Sequence, residues 1–428
     1  MNAFYLIVLV VLFLAGMPVA LAIGNTSLVM SFLERGVRGL DAAFIAQKAL
    51  YGVDNFLLLA VPFFLYAGKV MNTGGITNRI FRFATSLVGY FRGGLGHVNV
   101  VASVIFAGMT GTAVSDAAGL GAVEIKAMND AGYDPEFSVA ITAASSTIGP
   151  IIPPSVPLVI FGLMTGASIG KLLIGGLIPG LLMAVALMIA IEIYASRREM
   201  PKGAKFDLGE TWRGFKLAFF PLLTPVIIVG GILAGVFTPT EAAAVAAAYA
   251  TVLSVCVYRE ITLPGLWAII KETVVDTGGI MFIVAMAMAY GYMITRSNVT
   301  NYLVDVISGI STNPTVVLFI IILLLLFIGC FLEATAAITI MSPILLPILA
   351  AVGIDTVHFG IIMVLTMMIG LLTPPFGMVL FVLNKISGIP LDRIVRAVTP
   401  FIIPLLAVDA LLVLFPKFVT WLPDLLFK

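Results

Sequence analysis

The chain has 428 residues, of which 61% are hydrophobic and only 11% charged, and its net charge is +1. With a mean hydropathy of +1.15, it has too little charge to cover a soluble protein of this length, and it has no basic stripe interleaved with aromatics of the kind that binds nucleic acid. A polytopic protein of the lipid bilayer is what remains.

The first apolar stretch, residues 1–23, lacks a basic leader. Ala20 and Ala22 could mimic a cleavage site, but the second half of the chain repeats this stretch, so it reads as membrane-spanning. Segments 3–17 and 19–34 are the first expected spans. An amphipathic piece at 37–50 and a span at 53–71 follow. A second amphipathic piece, 76–92, sets Arg79, Arg82 and Arg92 against an apolar face, as expected of a helix lying in the interface. Residues 98–128 and 137–162 are apolar but interrupted, and 173–195 is a plain span. The polar stretch 196–216 carries Arg197, Arg198, Lys202, Lys205, Arg213 and Lys216, and its charge assigns it to the cytoplasm as a linker. Beyond it, spans are expected at 217–236, 241–258, 275–295 and 399–416, each near the ~20 residues that cross a bilayer. Interfacial pieces are expected at 262–272 and 389–398. Residues 314–350 and 357–383 are again apolar and interrupted.

These interruptions repeat. Residues 106–162 lie over 327–383 at a constant offset of 221, without a gap. Phe106 falls on Phe327, Gly108 on Gly329, Gly132 on Gly353 and Asp134 on Asp355. Ile148-Gly149 falls on Ile369-Gly370, and Pro153-Pro154 on Pro374-Pro375; further upstream Pro18 falls on Pro239. The expected domains are a first repeat at 1–195, the linker 196–216, and a second repeat at 217–428. Five Lys or Arg lie from Lys69 to Lys126, and none lies between Arg296 and Lys385. Corresponding loops of the two halves therefore belong on opposite sides of the membrane, so the repeats are inverted. This places the N-terminus outside, at the cost of putting Arg35, Arg38 and Lys48 there too.

Each repeat carries two unusual elements. Residues 98–128 centre on Thr110-Gly111-Thr112 and Ser115-Asp116, and 314–350 centre on Glu333-Ala334-Thr335. Either stretch could be one long span. A re-entrant hairpin accounts better for the positive flanks Arg92 and Lys126 and for the small residues at the centre, since irregular backbone survives at membrane depth only when buried in protein or lining a cavity. The second element is a broken helix. Ser145-Ser146-Thr147-Ile148-Gly149-Pro150 and Pro153-Pro154-Ser155 interrupt 137–162, and Gly370, Thr373 and Pro374-Pro375 interrupt 357–383. Proline stops a helix, freeing carbonyls on one side and starting a positive dipole end on the other. Freed carbonyls with hydroxyls make a sodium site, and helix N-termini receive an anionic group. A proline kink without a ligand is the simpler reading of one break, but two breaks in register, each matched to a hairpin, favour a site. The candidate sodium ligands are Thr110, Asp116, Gly149 and Pro150 in the first repeat, and Glu333, Thr335, Gly370 and Thr373 in the second. The candidate substrate residues are Arg296, Ser145, Thr147 and Ser155. Asp116 and Glu333 are carboxylates at membrane depth, where a charge costs about 2.5–3.5 kcal/mol or more. Each could hold a cation or cap a half-helix. Arg296 ends the span 275–295; it could snorkel at the interface, or grip a carboxylate as a planar donor.

Together the motifs Gly235-Val236-Phe237-Thr238-Pro239-Thr240-Glu241, Thr110-Gly111-Thr112 with Ser115-Asp116, Ile148-Gly149-Pro150 with Pro153-Pro154-Ser155, and the span Pro400–Pro416 resemble the large membrane subunit of the tripartite ATP-independent periplasmic (TRAP) transporters. The resemblance covers essentially the whole chain. It implies an all-α polytopic fold of two inverted repeats, each with a re-entrant hairpin and a broken helix, in the ion-transporter-like elevator architecture. It implies sodium-driven import of an organic acid, of the sialic acid or C4-dicarboxylate class, across the bacterial inner membrane. The implied partners are a small four-helix membrane subunit and a periplasmic substrate-binding protein. The family's hairpin sodium ligands fall on Thr110 and Asp116, its second acidic position on Glu333 (often Asp in the family), and its substrate-side arginine on Arg296. No organic cofactor is implied.

No phosphate-binding Gly-x-x-x-x-Gly-Lys-Ser/Thr loop is present, so the energy source is expected to be an ion gradient. An intramembrane enzyme would need a nucleophile–base pair or a metal cluster at depth. Cys256 and Cys330 sit in apolar runs without ligand spacing, and His97 and His358 lie near span ends, so an enzyme is not expected. The alternative is a stand-alone sodium/carboxylate symporter needing no binding protein.

Overall fold

The computed structural model describes residues 4–36, 42–198, 200–201, 206–297 and 299–427. Arg38, Lys202 and Lys205 lie outside the described residues, and so does the start of the interfacial piece expected at 37–50. Every regular element among the described residues is helical. The first half contains α1 (Phe4–Leu14), α2 (Val19–Arg35), α3 (Ala42–Val53), α4 (Ala60–Thr73), α5 (Ile76–Val88), α6 (Gly94–Thr110), α7 (Ala113–Ala118), α8 (Leu120–Asp130), α9 (Pro135–Ser146), α10 (Val156–Thr165), α11 (Ile169–Gly175) and α12 (Leu177–Ser196). The second half contains α13 (Leu208–Leu233), α14 (Pro239–Thr251), α15 (Leu263–Arg296), α16 (Val299–Ile310), α17 (Pro314–Gly329), α18 (Ala334–Val352), α19 (Thr356–Gly370), α20 (Met378–Ser387), α21 (Leu391–Leu414) and α22 (Lys417–Leu426). Seven helices among the described residues are long and apolar enough to cross a membrane.

Local chemistry explains why the repeat keeps its register. Gly132 and Gly353 end α8 and α18 with positive φ (82° and 71°), a conformation glycine adopts without a Cβ penalty. Two residues later Asp134 and Asp355 cap α9 and α19, accepting from Glu136 N–H at 3.1 Å and His358 N–H at 2.7 Å. The paired Gly and Asp are thus one stop-and-start signal used twice. Thr238, Pro239 and Glu241 form a capping box on α14: Thr238 Oγ1 accepts from Glu241 N–H, and Glu241 Oε2 accepts from Thr238 N–H at 2.8 Å.

Extending the offset of 221 beyond the breaks aligns nearly every helix, with three differences, the first being that α7 and α8 are separate where the second half has the single helix α18. α3 and α4 are separate, and their counterparts are fused in α15, whose 34 residues span about 51 Å. Asn55 explains the break between α3 and α4, because its side chain accepts from Leu57 N–H and starts a new helix. Its counterpart, Asp276, stays within α15 and pairs with Lys69 at 2.6 Å. Likewise α11 and α12 correspond to the single helix α21. The interfacial pieces expected at 262–272 and 389–398 are therefore the first turns of spanning helices. The polar linker expected at 196–216 is shorter, because Asp207 caps α13 by accepting from Gly209 N–H at 2.8 Å.

The helices pack in two groups. α4 lies on α14, and α15 lies on α2 and α3. Against this layer sits a bundle in which the halves interlock: α10 packs on α18, α9 on α21, and the Phe161 and Phe359 rings meet at 6.1 Å. α6 and α8 pack on each other, so the chain turns back at the α6–α7 junction, and α17 and α18 do the same. Between the two hairpins, α11–α12, α13, α14 and α15 are each long and apolar enough to cross, and the broken pair α9–α10 counts with them as a fifth passage. That number is odd, so the hairpins open to opposite faces. α5 is amphipathic: Ile76, Ile80 and Phe83 are buried, while Arg79 and Arg82 reach Glu260 and Glu210 at 2.7 and 2.6 Å.

Candidate functional site

The first hairpin tip rests on the first helix break. Gly111 turns the chain with φ +64° and presses so close to the break that a Cβ there would lie 2.7 Å from Pro154 O. Its carbonyl accepts from Val156 N–H at 3.4 Å. Any side chain at Gly111 would therefore push the tip off the break. Just past this turn α7 begins, and Asp116 lies in its first turns, 1% exposed. A Cβ on Gly149 would sit 3.3 Å from Asp116 Oδ2, which places the carboxylate over the unwound backbone. Neither Asp116 oxygen has a hydrogen-bond partner, nor has Thr110 Oγ1, which is also buried. Buried polar groups without partners are rare and mark strain, catalysis or a missing ligand. A buried carboxylate over the unwound backbone, with a buried hydroxyl at the hairpin tip, offers oxygen donors of the kind that suit a small hard cation.

The hydroxyls before the break are all engaged as donors. Thr147 Oγ1 donates to Ala144 O at 2.6 Å, and Ser146 Oγ to Ala143 O at 2.9 Å. Ser145 Oγ donates to Asn99 Oδ1 at 2.5 Å. Ser155 caps α10 by accepting from Leu158 N–H at 3.2 Å, and it donates to the carbonyl of Pro150. A hydroxyl that donates inward keeps oxygen lone pairs for a ligand. Ser145, Thr147 and Ser155 are fully buried around this break.

The second unit has the same backbone and different chemistry. Gly329, ending α17, meets Gly370, ending α19, so closely that a Cβ on Gly370 would lie 2.7 Å from Gly329 Cα. Glu333 caps α18: its Oε2 accepts from Ala336 N–H at 3.2 Å, and its Oε1 accepts from Thr335 Oγ1 at 3.0 Å. Thr373 Oγ1 donates to Gly370 O at 2.8 Å within the break. Both breaks contain a cis peptide, at Pro153-Pro154 and Pro374-Pro375. Arg296 is exposed at the C-terminal end of α15, just before α16.

Two buried acids went unremarked in the sequence. Glu124 in α8 and Asp409 in α21 are each 1% exposed. Asp409 Oδ2 accepts from Thr366 Oγ1 at 2.9 Å, while its Oδ1 has no partner. Both lie in apolar runs, so the rule that singles out Asp116 and Glu333 would have found them.

Residues 6–418 match the family described as the DctM component of the tripartite ATP-independent periplasmic transporter. The sialic acid TRAP transporter large permease protein SiaM of Vibrio cholerae is 47% identical, over 97% of this chain and 96% of that protein. The sialic acid TRAP transporter permease protein SiaT of Haemophilus influenzae is 42% identical, over 98% of this chain and 68% of that protein. The C4-dicarboxylate TRAP transporter large permease protein DctM of Pseudomonas aeruginosa is 36% identical, over 95% and 94%. Among solved structures, the YdaH transporter of Alcanivorax borkumensis, described as having an unusual topology, superposes with a TM-score of 0.67 at 13% identity, over 95% of this chain and 98% of that one. The chain is a multi-pass transporter permease and belongs to the DctM family of tripartite ATP-independent periplasmic transporters, as a large permease.

Proposed function

We propose that the protein imports a sialic acid across the bacterial inner membrane, driven by sodium, with its two hairpin–break units carried as one body past the α2–α3–α4–α14–α15 layer. The observation that carries the reading is the buried carboxylate of Asp116, which has no partner and lies over the Gly149 break. Sodium supplies the missing charge there, and Thr110 and the carbonyls around Gly149 complete its oxygen shell. Movement past the layer is supported by close, smooth contact: a Cβ on Gly68 of α4 would lie 3.0 Å from Thr110 Cα. Without a cation, Asp116 would have to cross the apolar layer bare, so substrate and sodium move together. A sialic acid is favoured because two similar permeases carry that name. Its carboxylate would be met by the N-terminal end of α10, by the hydroxyls of Ser145, Thr147 and Ser155, and by Arg296 on the outer approach. A small membrane subunit and a periplasmic binding protein complete the machine.

The test is uptake into proteoliposomes holding the permease and its small subunit, with a panel of radiolabelled acids, with and without the binding protein. Sialic acid uptake that depends on the binding protein is expected. Preference for a C4-dicarboxylate would overturn the substrate, and equal uptake without the binding protein would point to a stand-alone symporter.

A further inference from the structure

We infer that the first repeat holds another monovalent-cation site, built on Glu124 with Asn99 and Thr142, between the hairpin tip and the hairpin's cytoplasmic base. The inference rests on the sodium-coupled reading above. Glu124 is 1% exposed, and its Oε1 has no hydrogen-bond partner. Burial already disfavours a bare charge here, and Asp116 adds a like charge, so the two carboxylates together raise the need for compensation.

The direction in which Glu124 points follows from its helix. Gly121 and Met128 share its face of α8, one turn to either side. A Cβ on Gly121 would meet Thr142 Cγ2 at 2.6 Å, and Met128 Sδ lies 3.9 Å from Asn99 Nδ2. Glu124 therefore faces the seam between α6 and α9. There Asn99 Nδ2 donates to Thr142 Oγ1 at 2.7 Å, and Ser145 Oγ donates to Asn99 Oδ1 at 2.5 Å. The carboxylate, the Thr142 hydroxyl and the Asn99 amide oxygen offer only oxygen to an ion, and all three residues are buried.

The second repeat shows that the fold itself needs none of this. Where the first repeat has Asn99, Glu124 and Thr142, the second has Ile320, Leu345 and Met363. The packing contact recurs all the same, with Ser342 Oγ 4.0 Å from Met363 Sδ where Gly121 meets Thr142. An unpartnered acid set in a polar seam, at a place the backbone can fill with Leu, is there for a ligand. Beyond it α8 runs on to exposed Lys126 at the hairpin base, so an ion leaving Asp116 toward the cytoplasm would pass Glu124.

The test is equilibrium binding of radioactive sodium to the purified permease with its small subunit, without substrate. Glu124→Gln should bind one sodium fewer per protein than wild type, with unchanged thermal unfolding, and Asp116→Asn should lose a different one. The triple variant Asn99→Ile, Glu124→Leu, Thr142→Met imports the packing of the second repeat, so it keeps the test valid if the single change misfolds. It too should bind one sodium fewer. If both Glu124 variants bind as many sodium ions as wild type at equal affinity, the inference is wrong while sodium coupling stands. If wild type binds no sodium, the coupling reading itself has failed.

Discussion

The two hairpin–break units share a backbone, yet their acidic residues do different work. Glu333 spends both oxygens on its own helix, one on the Ala336 N–H and one on the Thr335 hydroxyl. Asp116 lies in the first turn of α7 rather than at its cap, and both its oxygens lack partners. The glycines differ in the same sense. Gly329 and Gly370 bring backbone onto backbone, whereas Gly149 leaves its space to the Asp116 carboxylate. One unit is closed by its own hydrogen bonds, and the other leaves its carboxylate unpartnered, which is where the proposed function places the ion. The arms show the same contrast. α5 is clamped by Arg79 and Arg82, and Arg79 also lies over the Tyr258 ring at 3.9 Å; α16 contains no Lys or Arg to do the same.

The sharpest way to break this comparison is to neutralise each acid in turn. Asp116→Asn should raise the sodium concentration for half-maximal uptake by about ten- to a hundredfold, since a bond to a charged group is worth about 1.5–3 kcal/mol. Glu333→Gln should raise it much less in the same assay, because Gln retains an acceptor for the Ala336 N–H. Equal shifts would erase the distinction between ligand and cap.

Glycine substitutions sharpen it further. Gly370→Ala forces a methyl against Gly329 and should destabilise the protein by about 1–3 kcal/mol, seen as a lower melting temperature. Gly149→Ala meets the movable Asp116 carboxylate at 3.3 Å and Ser146 O at an ordinary 3.4 Å, and should alter sodium affinity more than melting. Glu333→Ala should cost about 0.5–2 kcal/mol of stability, the usual cost of a lost cap.

Sidedness comes next. In a background with Cys256 and Cys330 replaced by Ser, cysteines at Asp130 and Asp355 should react with an impermeant reagent from opposite faces. Reaction of both from one face would contradict the inverted arrangement. The smallest effect is expected at the arm. Arg82→Gln removes a half-exposed pair with Glu210 and should change melting by no more than about 1 kcal/mol, as such pairs are well solvated.

Much of the fold could be read from the chain because its signals are local. Gly132 with Asp134 and Gly353 with Asp355 are stop-and-start pairs whose spacing survives in the sequence. The proline breaks and small-residue tips are equally local, and the structure brings two of the residues they single out, Asp116 and Gly149, together. What escaped was set across space. That Asp276, the counterpart of the capping Asn55, instead stays inside α15 and pairs with Lys69 of another helix is a contact between distant parts of the chain. That Glu333 is satisfied and Asp116 is not depends on where each falls in its helix, to within a residue or two. Glu124 stands out as a lone acid in an apolar run, but the polar seam between Asn99 of α6 and Thr142 of α9 exists only in the folded chain.

The most direct test of the account is a sodium activation curve for binding-protein-dependent sialic acid uptake into proteoliposomes, run for wild type and Asp116→Asn side by side. The account predicts no wild-type uptake on a potassium gradient alone, sigmoidal activation by inward sodium, and a curve for the variant displaced to far higher sodium. Uptake at full rate on potassium with sodium absent, or superimposable sodium curves for the two proteins, would contradict it.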